Sequence, residues 1–101
     1  MWICLNDAFV SIVEDGRRPG NLLVRARRRE HLGALVPNVL ITETRKSDYR
    51  YRVSLPQSTV ANLIRERVAG IDYGNFKGST KDKTLHDMYS VWWGDHIRIQ
   101  R

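Results

Sequence analysis

This 101-residue sequence contains a single cysteine and no long apolar run. Its single cysteine, Cys4, cannot form an intrachain disulfide, and the lack of a disulfide framework is typical of a reducing compartment. No apolar run approaches the roughly 18 residues that a membrane span requires. The N-terminus also lacks the basic region and apolar stretch of a signal peptide. We therefore expect a cytoplasmic protein.

The sequence also lacks the residue patterns of catalytic and metal sites. His31, His86 and His96 are too scattered for a local metal-binding motif, and the i, i+4 spacing of Asp82 and His86 is more typical of a pair on a helix surface. No nucleophile elbow, cysteine–histidine pair or carboxylate dyad is present. We predict that the protein is not an enzyme and uses no metal or cofactor.

The composition is that of one small globular domain covering residues 1–101. Apolar residues make up 42% of the chain and charged residues 28%, which is too apolar for a disordered chain. The formal net charge of +6 arises from 17 basic and 11 acidic residues, and neither half of the chain carries a charged tail. A basic folded surface attracts phosphates or an acidic partner, although an excess of this size also serves solubility.

Apolar periodicity and turn residues predict two β-hairpins, each followed by helix. The predicted strands are 2–14 with a bend at 6–7, 22–27, 39–42 and 49–55. The predicted helices are 28–36, 57–69 and 81–96, and residues 71–79 form a compact connection. In helix 57–69, one apolar stripe faces the core and consists of Val60, Leu63, Ile64 and Val68.

The predicted element order is ββαββαα, which describes an α+β protein. Two hairpins would form a four-stranded antiparallel sheet with the helices on one face. The expected architecture is a two-layer sandwich of ferredoxin-like character, although the ferredoxin-like strand order is not matched strand for strand.

Five sequence elements together point to a known group of proteins. They are the Met-Trp start with strand 9–13, strand 23–27, Asp-Tyr-x-x-Arg at 48–52, Asp-Tyr-x-Asn-Phe-Lys at 72–77, and His-x-x-Tyr-x-x-Trp at 86–92. This set resembles a family of small uncharacterised bacterial proteins and covers nearly the whole chain. The resemblance implies a single domain in a bacterial or phage setting. It implies no functional residues, because the family has no assigned activity.

Arginines form the first candidate binding surface. Period-two alternation places the arginines of strands 22–27 and 49–55 on the sheet face opposite the apolar side chains. Guanidinium groups bind phosphate bidentately, but Tyr49 and Tyr51 have the opposite phase, so an aromatic pair for base stacking is missing from that face. The alternative is a solvated face with cross-strand pairs to acidic residues such as Glu43. The candidate residues are Arg25, Arg27, Arg28, Arg29, Arg50 and Arg52.

The glycine-containing segment 74–81 and the adjacent helix form the second candidate surface. The segment lacks phosphate-loop spacing because Ser79, not lysine, follows Gly78, so a capped inter-helix connection is the better interpretation. A loop of this kind is nevertheless a plausible contact site, and Asn75 and Lys77 are its candidates. Trp93 lies outside the predicted core face of the last helix, and a partly exposed tryptophan is typical of a partner or homodimer surface.

Three functional hypotheses follow from these surfaces. The first is a non-catalytic basic binding module that engages a nucleic acid or a nucleoprotein complex. The second is a phage or mobile-element inhibitor, similar to anti-CRISPR proteins, that binds a host protein complex. The third is a small enzyme or ligand-binding domain, for which the sequence offers the least support.

Overall fold

Five strands form one antiparallel sheet in the order β1-β2-β3-β5-β4. The computed structural model describes residues 1–100. The strands are β1 (Trp2–Cys4), β2 (Phe9–Glu14), β3 (Asn21–Ala26), β4 (Thr42–Glu43) and β5 (Tyr51–Pro56). The predicted α+β class and the antiparallel sheet are confirmed, whereas the predicted number of four strands is wrong.

The additional strand arises in the first predicted segment. The Leu5 N–H donates to the carbonyl of Ala8 at 2.8 Å, which closes a turn where the sequence suggested only a bend. The segment 2–14 is therefore a hairpin, in which Trp2 pairs with Ser11. Three residues form β1, and this short strand is one edge of the sheet.

The other edge, β4, is shorter than predicted. Residues Asn38–Leu40 form a 3-10 turn, with the Leu40 N–H donating to the Pro37 carbonyl at 3.1 Å. Only Thr42 and Glu43 pair with β5, so the predicted strand at 39–42 is wrong for its first residues. Val39 is 90% exposed, because the turn directs this β-branched residue into solvent instead of placing it in the sheet.

Within residues 1–100, four α-helices accompany the sheet: α1 (Arg29–Gly33), α2 (Gln57–Ala69), α3 (Phe76–Ser79) and α4 (Lys83–His96). A second 3-10 turn follows at Ile97–Gln100. The observed order is βββαββααα, so the predicted ββαββαα lacked one strand and α3. In residues 1–100, no helix combines the length and apolar character needed to cross a membrane.

Helices α1 and α2 cover one face of the sheet. The core there joins Val10, Val24 and Val53 of the three central strands to Leu32 of α1 and Val60 of α2. The predicted α2 stripe enters this core through its first three members. Its fourth member, Val68, is 62% exposed and does not contribute to the core.

The other sheet face is partly covered by α4. Cross-strand register puts Trp2, Phe9 and Ser11 on this face, because directly paired and alternate residues share a side. Trp92 of α4 stacks on Trp2 and packs edge-on against Phe9, at centroid distances of 5.8 and 5.3 Å. The expectation that all helices lie on one face is therefore wrong, since a bulky aromatic cluster draws α4 onto the β1–β2 end.

Candidate nucleic-acid interface

Arg25 and Arg52 lie next to each other in the middle of the sheet, on the face opposite α1 and α2. They are direct cross-strand partners in β3 and β5, and Ser11 of β2 pairs with Arg25 from the other side. Arg25 donates from Nη2 to the Ser11 hydroxyl at 2.8 Å. Arg52 donates from Nη2 to the Tyr49 carbonyl at 3.1 Å and to the hydroxyl of Ser47. These bonds fix two guanidinium groups side by side; we call this surface the arginine face.

The side chain of Tyr49 supports the arginine face from beneath. Its buried ring lies under the guanidinium carbons of Arg25 and Arg27, at 4.6 and 4.7 Å from the ring centroid. Arg27 also donates to the Asp48 carbonyl at 2.7 Å. The sequence placed Tyr49 on the opposite face; that prediction is wrong because β5 begins only at Tyr51, so strand alternation does not extend to residue 49.

A groove of about 590 Å³ continues the arginine face past Arg52. Its wall includes the side chains of Arg17 and Arg18 from the β2–β3 turn. Asp15 organises that turn by accepting from the Arg17 N–H at 3.0 Å and from the Ser54 hydroxyl at 2.5 Å. The hydrogen bond from Ser54 and, after it, that from the Arg17 N–H lower the pKa of Asp15 below its ordinary value. The groove is lined by Asp15, Gly16, Arg17, Arg18, Leu23, Thr42, Thr44, Arg52, Val53 and Ser54.

Sequence reasoning missed Arg17 and Arg18, which lie in the connection between the predicted strands 2–14 and 22–27. Strand periodicity does not place them, because a residue of a turn contributes to a sheet face only where the turn folds over that face. In this turn Gly20 adopts a φ of +86°, a conformation that favours glycine. The turn then places both arginines in the wall of the groove that Arg52 also lines.

The remaining predicted arginines have other roles. Arg28 pairs with Asp82 at 3.4 Å, and Arg50 pairs with Glu43 at 3.0 Å. The Arg50 pair is the cross-strand arrangement that the alternative interpretation anticipated. Arg29 lies over the ring of Tyr51 at 5.2 Å, on the side of the sheet that α1 covers. The structure thus groups three of the six predicted arginines and separates the other three from them.

Charge balance distinguishes the arginine face from these outlying arginines. Among residues 1–100, Arg25, Arg27 and Arg52 have no carboxylate within ion-pair distance, and the same holds for the two turn arginines. Within that range, the Nε–H groups of Arg25 and Arg52 are also buried without a hydrogen-bond partner. Leaving a buried donor unpaired costs on the order of 1–3 kcal/mol. The arginine face therefore carries three guanidinium groups without an ion-pair partner, and the groove beside it also contains the carboxylate of Asp15.

Asn75, Lys77 and Trp93 are brought together at a second groove of about 550 Å³, which we call the aromatic groove. Asn75 caps α3 by accepting the Gly78 N–H at 3.1 Å. The Lys77 ammonium lies 4.0 Å from the centroid of the Trp93 ring, and Trp93 is 54% exposed. The other lining residues are Cys4, Gly74, Phe76, Tyr89, Trp92 and His96.

These groups are suited to binding. Within residues 1–100, no set of three or more histidine, cysteine or acidic side chains is arranged to hold a metal ion. Burial raises the pKa of the Cys4 thiol, which disfavours the nucleophilic thiolate. What the geometry offers is a group of neighbouring guanidinium donors and, separately, aromatic rings beside a lysine.

Comparison of the chain with protein families, with curated proteins and with solved structures gives no match. The resemblance to a family of small bacterial proteins therefore stays a prediction, and function is argued from the geometry of the two surfaces.

Proposed function

We propose that this protein is a non-catalytic binding module that engages nucleic acid through the arginine face. The observation that carries this proposal is the convergence of Arg25, Arg27 and Arg52 on Tyr49, without an ion-pair partner in residues 1–100. The groove beside them adds Arg17 and Arg18.

The chemistry of guanidinium explains why phosphate is the expected ligand. Each group presents planar paired N–H donors that match a phosphate bidentately. The Tyr49 ring and the hydrogen bonds of Arg25 and Arg52 already fix these side chains, so binding immobilises few additional rotamers.

The alternative of a merely solvated face explains only part of the surface. It fits Arg50, whose charge Glu43 neutralises at 3.0 Å. It does not account for Arg25 and Arg27 packed on one ring with Arg52 paired beside Arg25, because like charges held this close repel one another and are stabilised by an added anion.

Oligonucleotide binding at several salt concentrations tests this proposal, with fluorescence anisotropy of a labelled oligonucleotide as the measurement. Arg17→Glu changes the groove wall, and Arg65→Glu is the matched control on α2, since both side chains are exposed and the charge change is identical. For Arg17→Glu we expect weaker binding. In a plot of log Kobs against the logarithm of the salt concentration, the slope should also be smaller in magnitude by about 0.7–0.9.

Two results would refute the proposal. One is the absence of salt-dependent binding by the wild-type protein. The other is an equal loss of affinity in Arg17→Glu and Arg65→Glu, which would mean that net charge alone, and not the arginine face, attracts the oligonucleotide.

A second candidate function is a phage-type inhibitor that binds a host protein complex. The observation in its favour is a set of exposed apolar side chains on α4 and the turn after it: Val91, Trp93, Ile97 and Ile99. Exposed apolar groups of this kind mark protein interfaces when they are contiguous. Pull-down from a bacterial lysate with and without nuclease separates the functions, because an inhibitor retains a stoichiometric protein after nuclease treatment and a nucleic-acid binder does not.

A further inference from the structure

The aromatic groove has a wall of rings that hold one another in place. The ring centroid of Phe76 lies 5.0 Å from that of Tyr89, and the ring centroid of Tyr89 lies 5.9 Å from that of Trp92. Trp92 is backed by Trp2 in a parallel stack with an interplanar angle of 9°. The Tyr89 hydroxyl anchors this wall by donating to the Leu5 carbonyl at 2.9 Å. A ligand therefore meets a preformed aromatic surface.

Trp93 is the ring of the groove that remains open to a ligand. It is 54% exposed, whereas Tyr89 beside it is buried. The Lys77 ammonium lies over the Trp93 ring at 4.0 Å, and His96 also lines the groove. None of the lining residues is acidic. The groove therefore combines a stacking surface with the positive charge of Lys77, which complements an aromatic ring that has an anionic group such as a phosphate attached to it.

The groove also opens on the same side of the sheet as the arginine face. Cys4, which lines it, pairs directly with Phe9, and Ser11 lies two residues further along the same strand. Ser11 pairs with Arg25, whose other partner is Arg52. Since paired and alternate residues project to one side, the two surfaces face the same way.

We propose that the aromatic groove binds an unpaired nucleobase by stacking on Trp93, so that the protein prefers single-stranded to double-stranded nucleic acid. This inference rests on the proposed function and adds to it the form of nucleic acid. A base in a duplex is stacked and paired and does not reach the ring, whereas an unpaired base presents its face to an aromatic side chain. Lys77 then moves from the Trp93 ring to the phosphate of the stacked nucleotide.

The test compares a labelled 12-nucleotide single strand with the duplex of the same sequence, using fluorescence anisotropy with wild-type protein and three variants. Trp93→Ala should weaken single-strand binding by about 5- to 150-fold, the effect of one lost base–aromatic stack, and leave duplex binding within about twofold. Trp93→Phe keeps a ring and should retain most of the single-strand affinity. Val91→Ala is the matched control, since Val91 is a neighbouring residue of α4 that is 69% exposed and does not line the groove.

The other outcomes show whether the inference alone fails or the proposed function fails with it. Wild-type protein that binds neither oligonucleotide refutes both the proposed function and the inference. Wild-type protein that binds both with equal affinity, or a Trp93→Ala variant that keeps its single-strand affinity, overturns the inference and leaves the arginine face supported. Equal losses in Trp93→Ala and Val91→Ala would also overturn it, because the groove would then have no special part in binding.

Discussion

Replacement of Tyr49 by leucine should destabilise the fold and weaken oligonucleotide binding together. The ring is 5% exposed and carries the guanidinium groups of Arg25 and Arg27. Leucine fills part of the same space but has no π face, so both arginines lose the surface that positions them. Tyr49→Phe is the matched control, because in residues 1–100 Tyr49 forms hydrogen bonds only through its backbone.

The size of the effect follows from two contributions. A cation–π contact contributes about 0.5–1 kcal/mol at an exposed site and about 2 kcal/mol when desolvated, so the half-buried Arg25 and the exposed Arg27 together account for about 1.5–3 kcal/mol. The smaller volume of leucine in a buried site adds roughly 1 kcal/mol. The expected loss in the free energy of unfolding is therefore about 2.5–4 kcal/mol, a large part of the roughly 5–15 kcal/mol that stabilises a small domain.

Urea denaturation followed by circular dichroism measures this loss, and anisotropy of a labelled oligonucleotide measures binding under native conditions. A double-mutant cycle with Arg27→Met isolates one cation–π contact, for which we expect a coupling of about 0.5–1 kcal/mol. The reasoning is refuted if Tyr49→Leu and Tyr49→Phe have the same unfolding free energy within about 0.5 kcal/mol, or if Tyr49→Leu binds the oligonucleotide as tightly as the wild type.

Two further predictions concern buried polar groups. Tyr89→Phe removes the hydroxyl that donates to the Leu5 carbonyl at 2.9 Å, and it should lower the free energy of unfolding by about 1–2 kcal/mol in urea denaturation; an unchanged midpoint would contradict this. His31 accepts the Phe9 N–H through Nδ1 at 3.4 Å, and burial, aided by the charge of Arg28, lowers its pKa below the ordinary 6.5. Because the unfolded chain then binds the proton more readily, stability is full above pH 6.5 and falls below it, so the urea midpoint should be lower at pH 5.5 than at pH 7.5. His31→Asn keeps an acceptor without a titrating ring and should flatten this dependence; a decline as steep as in the wild type would assign it to other groups.

The parts of the fold that sequence predicted well are those whose signals are local. Helix α2 begins at Gln57, directly after Pro56, and ends at Ala69, directly before Gly70, and these bounds match the prediction. Its apolar stripe failed only at Val68, which is 62% exposed. Periodicity identifies the face of a helix but does not tell where the neighbouring core ends.

The parts that sequence did not predict depend on contacts between distant residues. The segment around Asn6 reads equally well as a bend within a strand or as a hairpin turn. The pairing of Trp2 with Ser11 decides between these, and this pairing depends on the packing of Trp92 about 90 residues later. The ion pairs of the arginines also depend on distant residues. Arg28 and Asp82 are separated by 54 residues, and no local sequence pattern predicts their ion pair. Strand alternation did place Arg25 and Arg52 on one face, and the contribution of the turn arginines became clear only in three dimensions.

The shortness of the two outer strands has a consequence for how this protein meets other molecules. Strand β1 offers three residues at one edge, and β4 offers two at the other. Glu43 is one of the two residues of β4, and it forms ion pairs with Arg45 and Arg50. An incoming strand would have to displace these charged side chains to pair with β4. Long, flat, apolar edges recruit further strands and lead to aggregation, and this sheet presents neither length nor apolar character at β4. We therefore expect growth of the sheet by β-augmentation to be disfavoured at β4, and at β1 an incoming strand could pair with only three residues.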